Sequence, residues 1–137
     1  MSYKFLEHTA DVKFRAEGST IEEMFSEAAK AVSETMRGNI PILEKKDEVF
    51  EVEGTDMESL LHKFLEEFIF LLDTKDFLMS SIKFIKIDKE KFKLECIVSG
   101  DLGESYKFTN DVKAVTYNEM FVKEQEGKFV CQAVLDV

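Results

Sequence analysis

Apolar and polar residues alternate with a period of two at both ends of this chain, which is the pattern of half-buried β-strands. Val12, Phe14 and Ala16 are apolar and are separated by charged residues, so they predict one face of a strand, which is either separate from the segment 3–6 or forms one bent strand with it. Similar alternation or short apolar runs predict the remaining strands at 3–6, 49–53, 82–87, 92–98, 114–123 and 129–137. The turn between the last two contains Gly127, which can adopt the positive φ that a hairpin needs.

Two segments between these strands have apolar residues at helical spacing. The first helix is predicted to begin after Thr20, which forms a capping box with Glu23, and to end at Gly38. The second is predicted to begin in the same way, with Thr55 as the cap and Glu58 three residues later. Its apolar stripe is wide enough to pack between two layers.

Strands and helices in the first half, followed by hairpins alone, predict an α+β fold. We expect two helices packed with mostly antiparallel or mixed sheets, and a C-terminal half made only of β-hairpins. The chain has 137 residues, of which 45% are hydrophobic and 13 are Phe. This length and composition predict a single domain over residues 1–137 with a core that needs no disulfides.

The formal net charge is −10. Because binding to nucleic acid depends on clustered Lys and Arg, this balance argues against direct, autonomous binding to RNA or DNA. It favours a basic protein partner, or serves solubility alone. The sequence contains neither an apolar membrane-spanning stretch nor an export signal, so we expect a cytoplasmic protein without membrane contact.

Neither cysteine has the surroundings of a reactive one. Cys96 and Cys131 lie in apolar strand-like runs, which predicts two free, buried thiols of a reduced compartment. His62 lies beside Lys63 and is expected to face solvent. No phosphate-binding glycine loop, nucleophile elbow or metal-spaced cysteine pair is present in the sequence, so it offers no complete catalytic constellation.

A candidate site comes from polar residues at the ends of strand-like runs. Glu7, His8, Asp11 and Asp136 form the densest set of oxygen and nitrogen donors, and a main-chain or terminal oxygen of Val137 lies beside Asp136. Carboxylate and carbonyl oxygens suit Ca²⁺ or Mg²⁺, whereas zinc would require thiolate or imidazole ligands in compact spacing. On these residues alone an ordinary turn or strand end is the commoner explanation of each aspartate.

Lys113 lies within the apolar run 112–115. An ammonium buried there requires an anion, so we expect Lys113 near the aspartates. The alternative is a strand lysine whose ammonium extends to water.

Several of these segments together resemble the archease family, in order and over nearly the whole chain. They are Leu6–Val12 (LEHTADV), Gly18 with the helix carrying Met24-Phe25 and Ala28-Ala29, Leu60-Leu61, Gly103-Glu104, Val112–Tyr117 (VKAVTY) and Val134–Val137 (VLDV). Archeases are small acidic proteins that activate the GTP-dependent RNA ligase of tRNA splicing and repair, promoting its guanylylation and repeated turnover. Some are linked to a tRNA cytosine methyltransferase as chaperone-like modulators.

Carried over by this resemblance, the family's metal site falls on Asp11 and Asp136 with an oxygen from Val137, and its required lysine falls on Lys113. A divalent ion, Ca²⁺ or Mg²⁺/Mn²⁺, is the implied cofactor. The chain departs from the family pattern at two places. Asn118 stands where a histidine is common, and the segment between Glu104 and Lys113 is short and lacks the histidine commonly found there. These departures bear on histidine-dependent roles and leave the aspartates and the lysine unaffected.

Three functions remain open at this point. The first is a non-enzymatic ligase activator in which Glu7, His8 and Lys113 act toward the partner. The second is a chaperone-like module for a basic tRNA methyltransferase. The third is a metal-dependent hydrolase, which lacks an evident base and substrate pocket.

Overall fold

The computed structural model describes residues 1–7, 11–108 and 112–137. The strands are β1 (Ser2–Leu6), β2 (Val12–Gly18), β3 (Lys46–Glu53), β4 (Phe77–Asp88), β5 (Lys93–Leu102), β6 (Ala114–Gln125) and β7 (Lys128–Asp136). The helices are α1 (Ile21–Arg37) and α2 (Met57–Lys75), and one 3-10 turn covers Gly103–Ser105.

The strands form two antiparallel sheets, which confirms the predicted α+β class. The four-stranded sheet has the order β1-β2-β7-β6, and the three-stranded sheet has the order β3-β5-β4. Each helix contacts strands of both sheets, so the helices lie between them. One apolar core joins all these elements. None of the helices in the described residues is long and apolar enough to cross a membrane.

The ends of α1 follow the sequence prediction. The Thr20 hydroxyl accepts a hydrogen bond from the Glu23 N–H at 3.1 Å, and the Glu23 carboxylate accepts one from the Ser19 N–H at 2.8 Å. Gly38 has φ +71° and donates its N–H to Glu34 O at 2.7 Å. A residue with positive φ that satisfies a last-turn carbonyl is what a helix-ending glycine provides.

The start of α2 lies one residue later than the sequence predicted. The capping residue is Asp56, whose carboxylate accepts the Ser59 N–H at 2.7 Å, and the Ser59 hydroxyl accepts the Asp56 N–H at 3.1 Å. Thr55 instead donates its N–H to the Ser59 hydroxyl at 2.8 Å. A carboxylate caps well because it also interacts favourably with the positive end of the helix dipole.

Strand β4 begins at Phe77, five residues before the predicted start at Ile82. The residues between them were missed because Phe77, Leu78 and Met79 form a continuous buried run with no alternation. Asp76, in the left-handed conformation with φ 52°, ends α2 and turns the chain directly into this strand. Two register irregularities follow, which further obscure the period of two.

Both cysteines are free and buried, as predicted. Burial raises the pKa of the Cys96 thiol to about 12 and that of the Cys131 thiol to about 12. Neither is a thiolate at neutral pH, so both act as small apolar core residues.

Candidate functional site

Four strand ends meet at one end of the four-stranded sheet, and the predicted site residues lie there. Leu6 of β1 pairs with Lys13 of β2, and Val12 pairs with Leu135 of β7. Glu7 and Asp11 therefore come just after β1 and just before β2, on the same sheet end. His8 lies outside the described residues.

Asp11 directly precedes, and Asp136 directly follows, the terminal pair of β2 and β7. The pair Val12–Leu135 is the last one recorded between β2 and β7, and the next position in an antiparallel ladder brings Asp11 opposite Asp136. Asp11 is half-buried, whereas Asp136 is exposed. The half-buried Val137 packs against the core, which fixes the backbone beside Asp136.

Lys113 is joined to the same sheet end through its backbone. Its N–H donates to Asp136 O at 2.8 Å, and Ala114 pairs with Asp136. The side chain is exposed, however, and Lys113 lies just before β6 rather than inside an apolar strand. The apolar character of this run comes from Val112 and Val115, which are both 3% exposed.

The Lys113 side chain lines an open groove of about 470 Å³ between α2 and the start of β6. The groove also contains three carboxylates and two apolar side chains: Glu66, Glu67, Asp73, Ile69 and Phe70. Burial raises the pKa of the Glu67 carboxyl, and the nearby Lys75 opposes this shift. The Lys113 side chain thus shares this groove with carboxylates of α2, whereas Asp11 and Asp136 are not among the residues that line it.

Sequence reasoning missed the role of His62. Its Nε2 lies 2.6 Å from Val115 O, and its ring stacks on Tyr117 with the centroids 4.2 Å apart and the planes at 9°. The Val115 N–H donates to Glu66 Oε1 at 3.3 Å, and this oxygen lies 3.6 Å from His62 Nε2. Because β6 is an edge strand, these helix side chains satisfy backbone groups that would otherwise face water.

The prediction that His62 faces solvent is therefore wrong. The sequence offered only a His–Glu pair at i and i+4, because the backbone partner is 53 residues away. The contact has a consequence for the site: it anchors β6 two residues after Lys113 and so helps to fix the sheet end.

The oxygen donors at this sheet end are of the kind that hard cations prefer. Asp11 and Asp136 carry carboxylates, and Val137, which follows Asp136, carries a backbone oxygen. Such ligands suit Ca²⁺, Mg²⁺ or Mn²⁺ rather than zinc. Within residues 1–7, 11–108 and 112–137, no three His, Cys, Asp or Glu side chains are grouped closely enough to hold a metal. A cation held by the described residues would thus complete its coordination with water or with groups of a partner.

Two helices between antiparallel sheets, with acidic strand ends at one edge, define a small α+β domain with an oxygen-rich end. The family model described as the Archease protein family (MTH1598/TM1083) matches residues 3–137, and the chain therefore belongs to the archease family.

Curated relatives and solved structures agree with this assignment. The chain is 36% identical to "Protein archease" of Pyrococcus furiosus, with 98% of each chain covered. It is 34% identical to that of Methanopyrus kandleri over the full length of both. The solution structure of Methanobacterium thermoautotrophicum protein 1598 matches with a TM-score of 0.82 at 29% identity, covering 99% of each chain. A crystal structure of an archease from Thermotoga maritima, described as a possible chaperone, shares the fold with a TM-score of 0.67 at 19% identity, covering 98% of this chain and 96% of that one.

Proposed function

We propose that this protein is a non-enzymatic activator of the GTP-dependent RNA ligase of tRNA splicing and repair. It promotes guanylylation of the ligase and allows repeated turnover. The observation that carries the proposal is the meeting of Glu7, Asp11, Lys113 and Asp136 at one end of the four-stranded sheet in a chain of the archease family.

In this proposal Asp11, Asp136 and a backbone oxygen of Val137 hold one divalent cation. When bound, the cation offsets the negative charge that the ligase nucleotide and carboxylates bring together. The two aspartates position it, and the core contacts of Val137 keep the backbone oxygen in place. Lys113 bonds Asp136 through its backbone, and its exposed side chain, which lines the groove beside α2, contacts a phosphate or a carboxylate of the partner.

Guanylylation of purified ligase, with and without this protein, tests the proposal across Mg²⁺ and Mn²⁺ concentrations. We expect substoichiometric amounts of the wild type to raise the yield of ligase–guanylate and to permit multiple turnovers. Asp11→Ala and Asp136→Ala should reduce stimulation by tenfold or more, because one carboxylate less weakens a hard-cation site. Both residues lie at strand ends, so the variants should keep the wild-type circular dichroism spectrum.

Asp47→Ala is the matched control, since Asp47 is an exposed aspartate at the start of β3 in the other sheet. Its stimulation should equal that of the wild type. Wild-type protein that fails to stimulate guanylylation with any metal would contradict the proposal.

A second candidate function is that of a chaperone-like modulator of a tRNA cytosine methyltransferase. The observation that favours it is the groove beside Lys113, where Phe70 is 53% exposed and is surrounded by carboxylates. An exposed aromatic ring in an acidic setting suits the surface of a basic RNA-modifying enzyme. Tight binding to the methyltransferase, together with no effect on the ligase, would favour this function.

A further inference from the structure

The outer face of the four-stranded sheet is unlike the rest of this acidic chain. Phe14 and Ala16 of β2 face the core, so the alternating residues Lys13, Arg15 and Glu17 face outward. Register then places five basic residues on this outer face: Lys4, Lys13, Arg15, Lys123 and Lys128. Two of them already face a carboxylate, since Lys13 Nζ lies 3.2 Å from Glu119 Oε1 and Lys128 Nζ lies 3.8 Å from Glu17 Oε1. We call these five residues and the surface between them the basic face.

The basic face contains a built arrangement around Arg15. The Arg15 Nε–H donates to Gln132 Oε1 at 2.8 Å, and the Gln132 amide donates to Glu119 O at 2.8 Å. Gln132 is only 4% exposed, so a buried amide holds an exposed guanidinium in place. Two cationic groups lie over the Phe121 ring: Arg15 Cζ is 5.7 Å and Lys123 Nζ is 4.6 Å from the ring centroid.

An open cavity of about 320 Å³ lies at the end of the basic face remote from the aspartates. Lys4, Arg15 and Lys128 line it, together with the hydroxyl-bearing Ser2. Two acidic residues, Glu17 and Glu126, are also part of the lining. Ammonium, guanidinium and hydroxyl groups are the side chains that contact phosphate oxygens in protein–nucleic acid complexes.

The basic face continues directly into the candidate metal site. Asp11 lies just before β2 and lines the same opening as Lys13. Within β2 the strand alternation directs Lys13 to the outer side of the sheet. Asp136 lies on the same side, because Leu135 before it is part of the core. A chain of phosphates lying along the basic face would therefore lead to the two aspartates.

We propose that the basic face binds the phosphate backbone of RNA while the acidic sheet end engages the ligase. The identity of this RNA as the ligase's substrate rests on the proposed function, whereas the binding itself does not. Lysine is depleted from protein–protein interfaces, and the Phe121 ring is occupied by cations, so the surface lacks the apolar anchor that a protein partner would use. Phosphate is the ligand that remains.

The net charge of −10 limits the strength of this contact without abolishing it. At physiological salt, charges act over about 8 Å, so a bound phosphate responds to the basic face together with the neighbouring Glu17 and Glu126, and little to the carboxylates elsewhere on the molecule. Binding of free RNA should be weak. In the complex the ligase holds the RNA, and the contact becomes intramolecular, which raises the effective concentration.

The test replaces three exposed lysines of the basic face in one variant, Lys4→Gln/Lys123→Gln/Lys128→Gln. The matched control, Lys86→Gln/Lys91→Gln/Lys93→Gln, removes the same charge from exposed positions around the hairpin of β4 and β5. A fluorescent 20-nucleotide single-stranded RNA is titrated with each protein in 100 mM salt, and anisotropy is recorded. We expect the basic-face variant to bind about fivefold more weakly than the wild type and the control, with a salt slope smaller by about 0.7 for each lost phosphate contact.

Ligase assays with the same proteins separate the possible causes. The basic-face variant should stimulate guanylylation like the wild type, because that step needs no RNA, but should support RNA joining less well at subsaturating RNA. Arg15→Gln removes the cation that Gln132 holds. This variant should likewise support RNA joining less well and stimulate guanylylation like the wild type.

Equal RNA affinity of the wild type and the basic-face variant would overturn the inference. Loss of ligase binding in the absence of RNA would also overturn it, by making this surface a protein interface. If the wild type binds RNA through the basic face yet fails to stimulate guanylylation, the proposed function fails and the inference stands.

Discussion

Asp101 is a buried carboxylate that joins three parts of the chain. It accepts the Tyr106 hydroxyl at 2.8 Å and the Leu102 N–H at 2.8 Å. The Tyr106 oxygen in turn accepts the Leu43 N–H at 3.0 Å, which ties down the loop before β3. The Tyr106 hydroxyl, more than any other group, lowers the pKa of the Asp101 carboxyl. A lowered pKa in the folded state means that the ionised carboxylate stabilises the fold.

Tyr106→Phe should therefore lower the melting temperature in a pH-dependent way. The stabilisation from Asp101 is complete above its unfolded pKa of about 3.9 and is lost as the pH falls through the lower folded value. The difference between wild type and variant should be largest near pH 7 and should narrow below about pH 4. A residual difference should persist, because the Leu43 N–H loses its acceptor at every pH. Thermal melts from pH 3 to 7 measure this, and a difference that widens toward acid would contradict the assignment.

At the scale of elements, the sequence was most informative where periodicity is strong. Both helices and the alternating strands were predicted because each pattern is local and runs over several turns or pairs. Contacts between elements were not predictable, since His62 of α2 and Val115 of β6 carry no mutual signal in the sequence. The same holds for the start of β4, where Phe77 belongs to a buried run without a period. A shared cation site of Asp11 and Asp136 stays a prediction, although the register places both residues at the same end of the four-stranded sheet.

The contact between α2 and β6 can be tested with His62→Ala and His62→Phe. Both remove the hydrogen bond to Val115 O, whereas phenylalanine retains a ring to stack on Tyr117. A lost hydrogen bond of about 1 kcal/mol should raise amide exchange at the start of β6 by roughly fivefold, with α1 unchanged. Lys63→Ala, which alters the neighbouring helix position, should leave β6 protection as it is. Exchange at β6 that is unaffected in both His62 variants would show that the strand is fixed by other contacts.

At the scale of the whole molecule, charge is distributed unevenly between two surfaces. The groove beside α2 holds carboxylates around Phe70, and the outer side of the four-stranded sheet holds the basic face. The sheet end with Asp11 and Asp136 lies where these surfaces approach one another. Composition alone gave the net charge of −10 and hence the expectation of no direct nucleic-acid binding. That the negative and positive residues lie on different surfaces could be recognised only from the strand register, because the register assigns alternate residues of each strand to opposite sides of the sheet.

A cation at the sheet end would also affect the stability of the whole domain, since it would bind the folded chain and not the unfolded one, where Asp11 and Asp136 are far apart. Saturating Ca²⁺, Mg²⁺ or Mn²⁺ should therefore raise the melting temperature. At a concentration 100 times the Kd, the bound cation adds about 2.7 kcal/mol to the free energy of unfolding. Asp11→Asn and Asp136→Asn should lose this gain, whereas Asp47→Asn should retain it. Sodium chloride at matched ionic strength corrects for general screening of an acidic chain. A metal-induced shift of equal size in the sheet-end variants and in the Asp47 control would place the bound cation elsewhere on the surface and remove the physical basis for a metal-bearing sheet end.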